Sequence, residues 1–202
     1  MSVGWDASHG EFLIEDYYYF SKLKKLAEVE GIRIYQENDF KYLGNHDVVV
    51  FNYPEKRFKS SEIKKIDKWL RSGKKIIFAT YYNNMDSTAE NVNRVLEKLE
   101  IPIRINNDVV LDMENNAGDM MFPICKYKNY NVVMPCTSSL TVNGNRLITS
   151  KGFNLYGLKN PVVGASFKDV GEIIVLGTCV FWDNYSIDLL DNKILALDLL
   201  KV

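Results

Sequence analysis

Asp6, Ser8, His9 and Glu11 place two carboxylates, a hydroxyl and an imidazole within six positions, in the stretch Trp5-Asp6-Ala7-Ser8-His9-Gly10-Glu11. His9 is one of two histidines in the chain. Two carboxylates and an imidazole can hold a divalent cation or divide acid–base work between them. Their spacing matches no metal signature, so no metal and no cofactor is assigned. The plainer reading has Asp6 and Glu11 accepting from N–H groups of the loop and the following helix, with His9 packed beside them. Either way, one wall of any polar site is expected here, and Asp6, Ser8, His9 and Glu11 are candidate ligand-binding residues.

Cys179 follows an apolar run in Gly177-Thr178-Cys179-Val180-Phe181. A thiol at such a turn becomes a nucleophile when a base lowers its pKa. Only His9 or His46 could serve, because no histidine follows His46. A small buried hydrophobe is the simpler reading of Cys179. Cys125 and Cys136 flank an irregular segment and resemble nucleophiles still less. Three cysteines form neither a CxxC pair nor an even disulfide set, which predicts reduced thiols and a cytoplasmic protein.

The elements that must position these residues are legible from periodicity. Residues 2–5 allow a short strand. A helix is expected from about Glu15 to Glu30, with Phe20, Leu23 and Ala27 as its stripe, Tyr17 and Tyr18 widening it, and Gly31 ending it. Ile32–Tyr35 is a second strand, and 38–46 a polar connection. Val48-Val49-Val50-Phe51 and Ile76-Ile77-Phe78-Ala79 are continuously apolar, as in strands covered on both faces of a parallel sheet. Between them, Ser61–Arg71 is predicted helical, with Ser60 as its cap, Ile63, Ile66 and Leu70 inward, and Trp69 beside them. Ser87-Thr88-Ala89-Glu90 matches a capping box and opens a helix to about Leu99. This alternation predicts an α/β fold with a mainly parallel central sheet.

After Ile101 the pattern changes to short strands and turns, a β-rich insertion over about 101–172. Asn143-Gly144 marks a tight turn. Residues 161–167 and 172–176 form a hairpin whose second strand returns to the main sheet. A last helix spans about Asp188–Leu200, with Leu190, Ile194, Leu197 and Leu200 as its stripe. No linker or repeat is visible, so one domain over 1–202 is expected.

In such sheets ligands bind beyond the carboxyl ends of the strands. Four loops qualify: 6–11, 52–58, 80–87 and 177–184. They contribute Asn52, Tyr53, Tyr81, Tyr82, Asn83, Asn84, Trp182, Asp183 and Asn184, of which Tyr53, Tyr81, Asn83 and Trp182 join the ligand-binding candidates. The loops at 80–87 and 177–184 are expected to meet the opening loop in a shared cleft. Trp182 and Tyr81 are candidates to stack on sugar faces.

Net charge is −1, so no global field attracts nucleic acid or acidic lipid. The N-terminus lacks the basic and apolar regions of a signal peptide, and no apolar run is long enough to span a membrane.

A family resemblance rests on the order of several motifs. Asp6-x-x-His9-Gly10-Glu11 leads into a helix. A buried strand ends in Asn52-Tyr53-Pro54, followed by Glu62-Ile63-Lys64-Lys65-Ile66-x-x-Trp69-Leu70-x-x-Gly73. Gly171-Glu172-Ile173-Ile174-Val175-Leu176-Gly177 and Asp191-Asn192-x-x-Leu195-Ala196-Leu197-x-Leu199-Leu200 come last. The succession resembles the glutamine-amidotransferase-like domains of gliding-motility ABC-transporter auxiliary proteins, of intraflagellar transport proteins and of related prokaryotic proteins. It covers most of the chain outside about 101–160. It implies a flavodoxin-like three-layer α/β sandwich and a domain that often binds or assembles without catalysis. The family's catalytic members carry a Gly-x-Cys-x-Gly elbow and a downstream His and Glu. Here the matching strand runs Phe78-Ala79-Thr80-Tyr81-Tyr82-Asn83, without the cysteine or the glycines. The expectation is therefore a non-catalytic ligand- or protein-binding domain with a protein partner or self-association. A hydrolase built on Asp6, His9 and Glu11, with or without a metal ion to assist it, and a small-molecule or carbohydrate-binding role, are the alternatives.

Overall fold

The computed structural model describes residues 1–10 and 12–202. The first half alternates strand and helix: β1 (Ser2–Asp6), α1 (Tyr17–Val29), β2 (Arg33–Glu37), α2 (Phe40–Leu43), β3 (Val48–Asn52), α3 (Ser60–Arg71), β4 (Lys75–Ala79) and α4 (Thr88–Lys98). Short strands follow: β5 (Ile103–Ile105), β6 (Val110–Leu111), β7 (Ile124–Tyr127), β8 (Tyr130–Val133), β9 (Leu140–Val142), β10 (Asn145–Ser150) and β11 (Phe153–Asn154). The hairpin β12 (Val162–Lys168) and β13 (Glu172–Leu176) and the helix α5 (Asn192–Leu200) complete the chain.

Among the described residues one mixed sheet has eleven strands, in the order β2-β1-β3-β4-β13-β12-β10-β7-β8, with β9 on β12 and β5 on β9. The first five run parallel. From β12 onward every pairing in this sheet is antiparallel. The expected parallel arrangement thus describes a block of the sheet, and the sheet as a whole is mixed. Its antiparallel half comes from the β-rich insertion, which extends the sheet instead of standing apart.

The continuous apolar runs have the physical role their composition implies. On β3, Val48 and Val50 enter one core and Val49 and Phe51 the other; on β4, Ile77 and Ala79 oppose Ile76 and Phe78. One core is covered by Phe20, Leu23 and Ala27 of α1 and by α5. The other is covered by Phe40 and Leu43 of α2, Ile66 and Trp69 of α3, and Val92, Val95 and Leu96 of α4.

Several local expectations are corrected. Tyr17 and Tyr18 do not widen the packed stripe of α1; they are 83% and 64% exposed. Lys59, not Ser60, is the N-cap of α3, and its N–H donates to Glu62 Oε2 at 2.6 Å. Ser87 does not close a capping box, because its φ is +62° and its side chain makes no capping bond. Asn84 Oδ1 takes the Glu90 N–H instead, at 2.9 Å. The Asn143-Gly144 turn joins β9 to β10, which do not pair with each other; both pair with β12.

On α5 the buried face is Asn192, Leu195, Ala196, Leu199 and Leu200, and Leu190 is 56% exposed. A polar residue sets that face. The Asn192 side chain accepts the Val133 N–H at 2.8 Å and donates to the Val133 carbonyl at 3.0 Å. Asp191 adds a matching pair of bonds to Asn131. Together they cap the open edge of β8, which a count of apolar residues cannot foresee.

Candidate functional site

The chain runs from β1 outward to β2 and then back across to β3, so strand order reverses between β1 and β3. This is where open α/β sheets form a ligand crevice. Here the backbone ties the loop after β1 to the loop after β3. Gly10 bridges Pro54, and Lys56 N–H donates to the His9 carbonyl at 2.9 Å. A Cβ on residue 10 would lie 2.3 Å from the Tyr53 carbonyl oxygen, so only glycine permits this approach.

Asp6, at the end of β1, is 2% exposed and organises the loop beside it. Its Oδ1 accepts the Ser8 N–H at 2.9 Å and the Ser8 hydroxyl at 2.6 Å. Its Oδ2 accepts the His9 N–H at 3.2 Å and faces His9 Nδ1 at 3.0 Å. The other imidazole nitrogen, Nε2, lies 3.2 Å from Glu62 Oε2 on α3. The ring stacks on Phe58 at 4.3 Å and meets Phe40 edge-on at 5.5 Å.

Both nitrogens thus face carboxylates, which only accept. The doubly protonated imidazolium is the form that satisfies both. Burial pushes the His9 pKa down, but the hydrogen bonds and charges of Asp6 and Glu62 outweigh it, and the net direction is up. An imidazolium has no lone pair for a metal or for a substrate proton. Ser8 Oγ is 2.9 Å from Nδ1, the nitrogen that already faces Asp6. The three groups therefore lack the relay of a nucleophilic triad, which needs its two partners on different ring nitrogens. Glu11 lies outside the described residues. The second carboxylate at His9 is Glu62, 53 positions away, which no local spacing could announce. Among the described residues no group of three or more His, Cys, Asp or Glu is placed to hold a metal ion.

Trp182, Tyr53 and Tyr81 pack with the core on the opposite side of the sheet. Trp182 is fully buried, against Trp5 at 5.2 Å and Phe181 at 4.6 Å. Its indole N–H is shared by Asn52 Oδ1 and the Cys179 carbonyl, at 3.2 and 3.1 Å. It presents no face to solvent, so the expected role of Trp182 as a sugar-stacking platform is corrected. The expected cleft shared by His9 and Trp182 is likewise not formed by their side chains: His9 packs with the α2–α3 core and Trp182 with the α1–α5 core.

Around Tyr53 the loops do converge. Tyr53 packs edge-on to Phe12 at 5.0 Å and to Tyr81 at 5.8 Å, and Tyr81 to Tyr82 at 4.8 Å. The Tyr53 hydroxyl donates to Asp86 Oδ2 at 2.5 Å. Burial first, and Asp86 second, push the Tyr53 pKa up. Positive φ values occur at Phe12, Tyr53, Asn83, Asn84, Asp86, Ser87 and Cys136. Asn83 is exposed, and its N–H donates to the Asp108 carbonyl at 2.8 Å. The sequence singles out Tyr53, Tyr81 and Asn83 as candidates but not Phe12 and Asp86, which pack against and bond Tyr53. Neither carries a local signal, because each is placed by a backbone conformation that only the packed loops impose.

The thiols are free. Burial, and then the charge of Asp183, hold Cys179 well above its ordinary pKa; burial pushes Cys125 up to about 12 and also raises Cys136. None has the depressed pKa of a nucleophile.

No family model matches the chain. It is 39% identical to an "Uncharacterized protein" of Aquifex aeolicus (strain VF5) over a 222-residue alignment covering all of this chain and 93% of that one. The chain belongs to that protein's family. Among solved structures it resembles the "mmIFT52 N-terminal domain", with a TM-score of 0.80, 17% identity, and coverage of 96% of this chain and 92% of that one. It also resembles the exo-beta-1,4-mannosidase Op5Man5 of Opitutaceae bacterium strain TAV5, with a TM-score of 0.55 and 11% identity. That match covers 99% of this chain but 34% of the mannosidase. At these identities the likeness is one of fold. Among the described residues no helix is long and apolar enough to cross a membrane.

Proposed function

We propose that residues 1–202 act as one non-catalytic assembly domain of glutamine-amidotransferase-like type, with the flavodoxin-like three-layer plan, in the cytoplasm. The observation that carries this reading is the internal pairing of Asp6 and His9. Asp6 uses both carboxylate oxygens, and His9 both ring nitrogens, on partners within the chain. With each ring nitrogen of His9 facing a carboxylate, no hydroxyl or thiol has a ring nitrogen to itself that could take its proton. The raised thiol pKa values point the same way. The near full-length likeness to the mmIFT52 N-terminal domain supports the intraflagellar-transport type of the family and a role through protein contacts. Surface for such contacts exists where Tyr81, Tyr82 and Asn83 reach the carboxyl edge of the sheet, and at the exposed Tyr17, Tyr18 and Tyr185.

The test is a glutaminase and broad hydrolase screen of the full chain beside its His9→Gln and Cys179→Ala variants. No turnover above background is expected from any of them. Turnover in the parent chain that disappears in a folded His9→Gln or Cys179→Ala protein would overturn the reading.

A further inference from the structure

The two ends of the sheet are finished differently. At β8 the open backbone groups are met by Asp191 and Asn192. At the other end, β2 pairs with β1 and, among the described residues, with no other strand. Arg33 N–H donates to Met1, and the Glu37 carbonyl accepts from Ala7, so the odd-numbered residues of β2 bond inward. With a two-residue period, the N–H and C=O of Ile34 and Gln36 point outward. Tyr35, between them, is 42% exposed, and Tyr42 on the adjoining α2 is 47% exposed.

We propose that this edge is an interface for a second copy of the same chain, with β2 pairing antiparallel to β2 across a twofold axis through Tyr35. The register is self-complementary. Ile34 of each copy exchanges both backbone hydrogen bonds with Gln36 of the other, which satisfies all four outward groups on each strand. Tyr35 faces its own equivalent as a close, non-hydrogen-bonded pair. Arg33 falls opposite Glu37 of the second copy, on the same face, twice by symmetry. Glu37 is available for this: His46 Nε2 occupies Oε1 at 2.7 Å, and among the described residues no bond to Oε2 competes with an incoming guanidinium. Arg33 forms no ion pair within the described residues and is exposed. Shifting the axis by one residue either way removes the Arg33–Glu37 match, so charge selects this register. Beside the strand, Lys24, Glu28, Ile32, Arg33, Ile34 and Tyr35 line a hollow of about 370 Å³ that the second copy's side chains would enter. The proposal rests on the assembly reading and gives it a partner and a surface.

Sedimentation of the full chain tests it. The expected species has twice the 23.3 kDa mass of one chain. Arg33→Glu and Glu37→Arg, each alone, are expected to weaken association by about tenfold or more, because each puts like charges opposite at two symmetric places. Mixing the two variants is expected to restore the dimer as a heterodimer, which a merely misfolded variant could not do. Mild oxidation of the Tyr35→Cys chain is expected to give a covalent dimer, since a close antiparallel pair has its Cα atoms about 4.5 Å apart. A monomer at every concentration overturns the proposal while leaving the absence of turnover, and so the assembly reading, untouched. A dimer indifferent to both charge variants, or failure of the mixed variants to associate, overturns it as well.

Discussion

His9 Nε2 meets Glu62 Oε2 at 3.2 Å, and the same carboxylate oxygen accepts the Lys59 N–H at 2.6 Å. One glutamate therefore starts α3 and anchors the loop after β1. With Asp6 on the other ring nitrogen, the imidazolium becomes a rivet between the first strand and the third helix. Removing one member leaves buried charge without its partner, which costs about 3–5 kcal/mol. Asp6→Asn and His9→Ala are each expected to lower unfolding free energy by about that order in urea titrations. A folded Asp6→Asn protein of unchanged stability would remove the rivet.

The same group makes stability depend on pH with a defined sign. The His9 pKa is raised in the folded state above its ordinary value of 6.5. The stabilisation is fully present below 6.5 and is lost as pH rises from there through the folded-state value. Unfolding free energy should therefore fall across that interval, and the fall should flatten in His9→Gln. An NMR titration that puts the His9 midpoint below 6.5 would contradict this.

Gly10→Ala is expected to destabilise the fold by on the order of 3 kcal/mol, as steric insertions at rigid backbone do. The added methyl would meet the Tyr53 carbonyl, not a movable side chain. Thermal unfolding gives the answer, and a normal midpoint would show that the bridge to Pro54 is not needed.

Tyr53→Phe removes the hydroxyl that Asp86 accepts, at a cost of about 1–2 kcal/mol. The segment from Asn83 to Ser87 carries most of the positive φ values near this site. It should exchange its amide hydrogens faster in the variant than in the parent, while α3 stays protected.

At neutral pH the buried Cys125 and Cys179 should react with a disulfide reagent only on unfolding, because burial holds both thiols high. Replacing either by alanine should cost about 1–2 kcal/mol through the small cavity left behind and change no binding. Rapid labelling of Cys179 in the native protein would restore it as a candidate nucleophile.

The sequence by itself determined the framework. Val48–Phe51 and Ile76–Ala79 are apolar without alternation, so both faces had to be covered, and the parallel block follows from that. It also marked the loop of Asp6, Ser8 and His9, since rare polar types gathered beside a strand end are visible without coordinates. Only the tertiary structure decided what these residues do. His9 found Glu62 because the first turn of α3 comes to rest against the loop after β1, a contact with no periodic trace. Trp182 became a core residue because Trp5 of β1 and Phe181 pack on it, whereas its loop position suggested exposure. Asn192 turned inward on α5 because β8 needed its edge filled. Local pattern reports which faces are apolar; hydrogen-bond partners far apart in the chain are chosen by how those faces come to rest against one another.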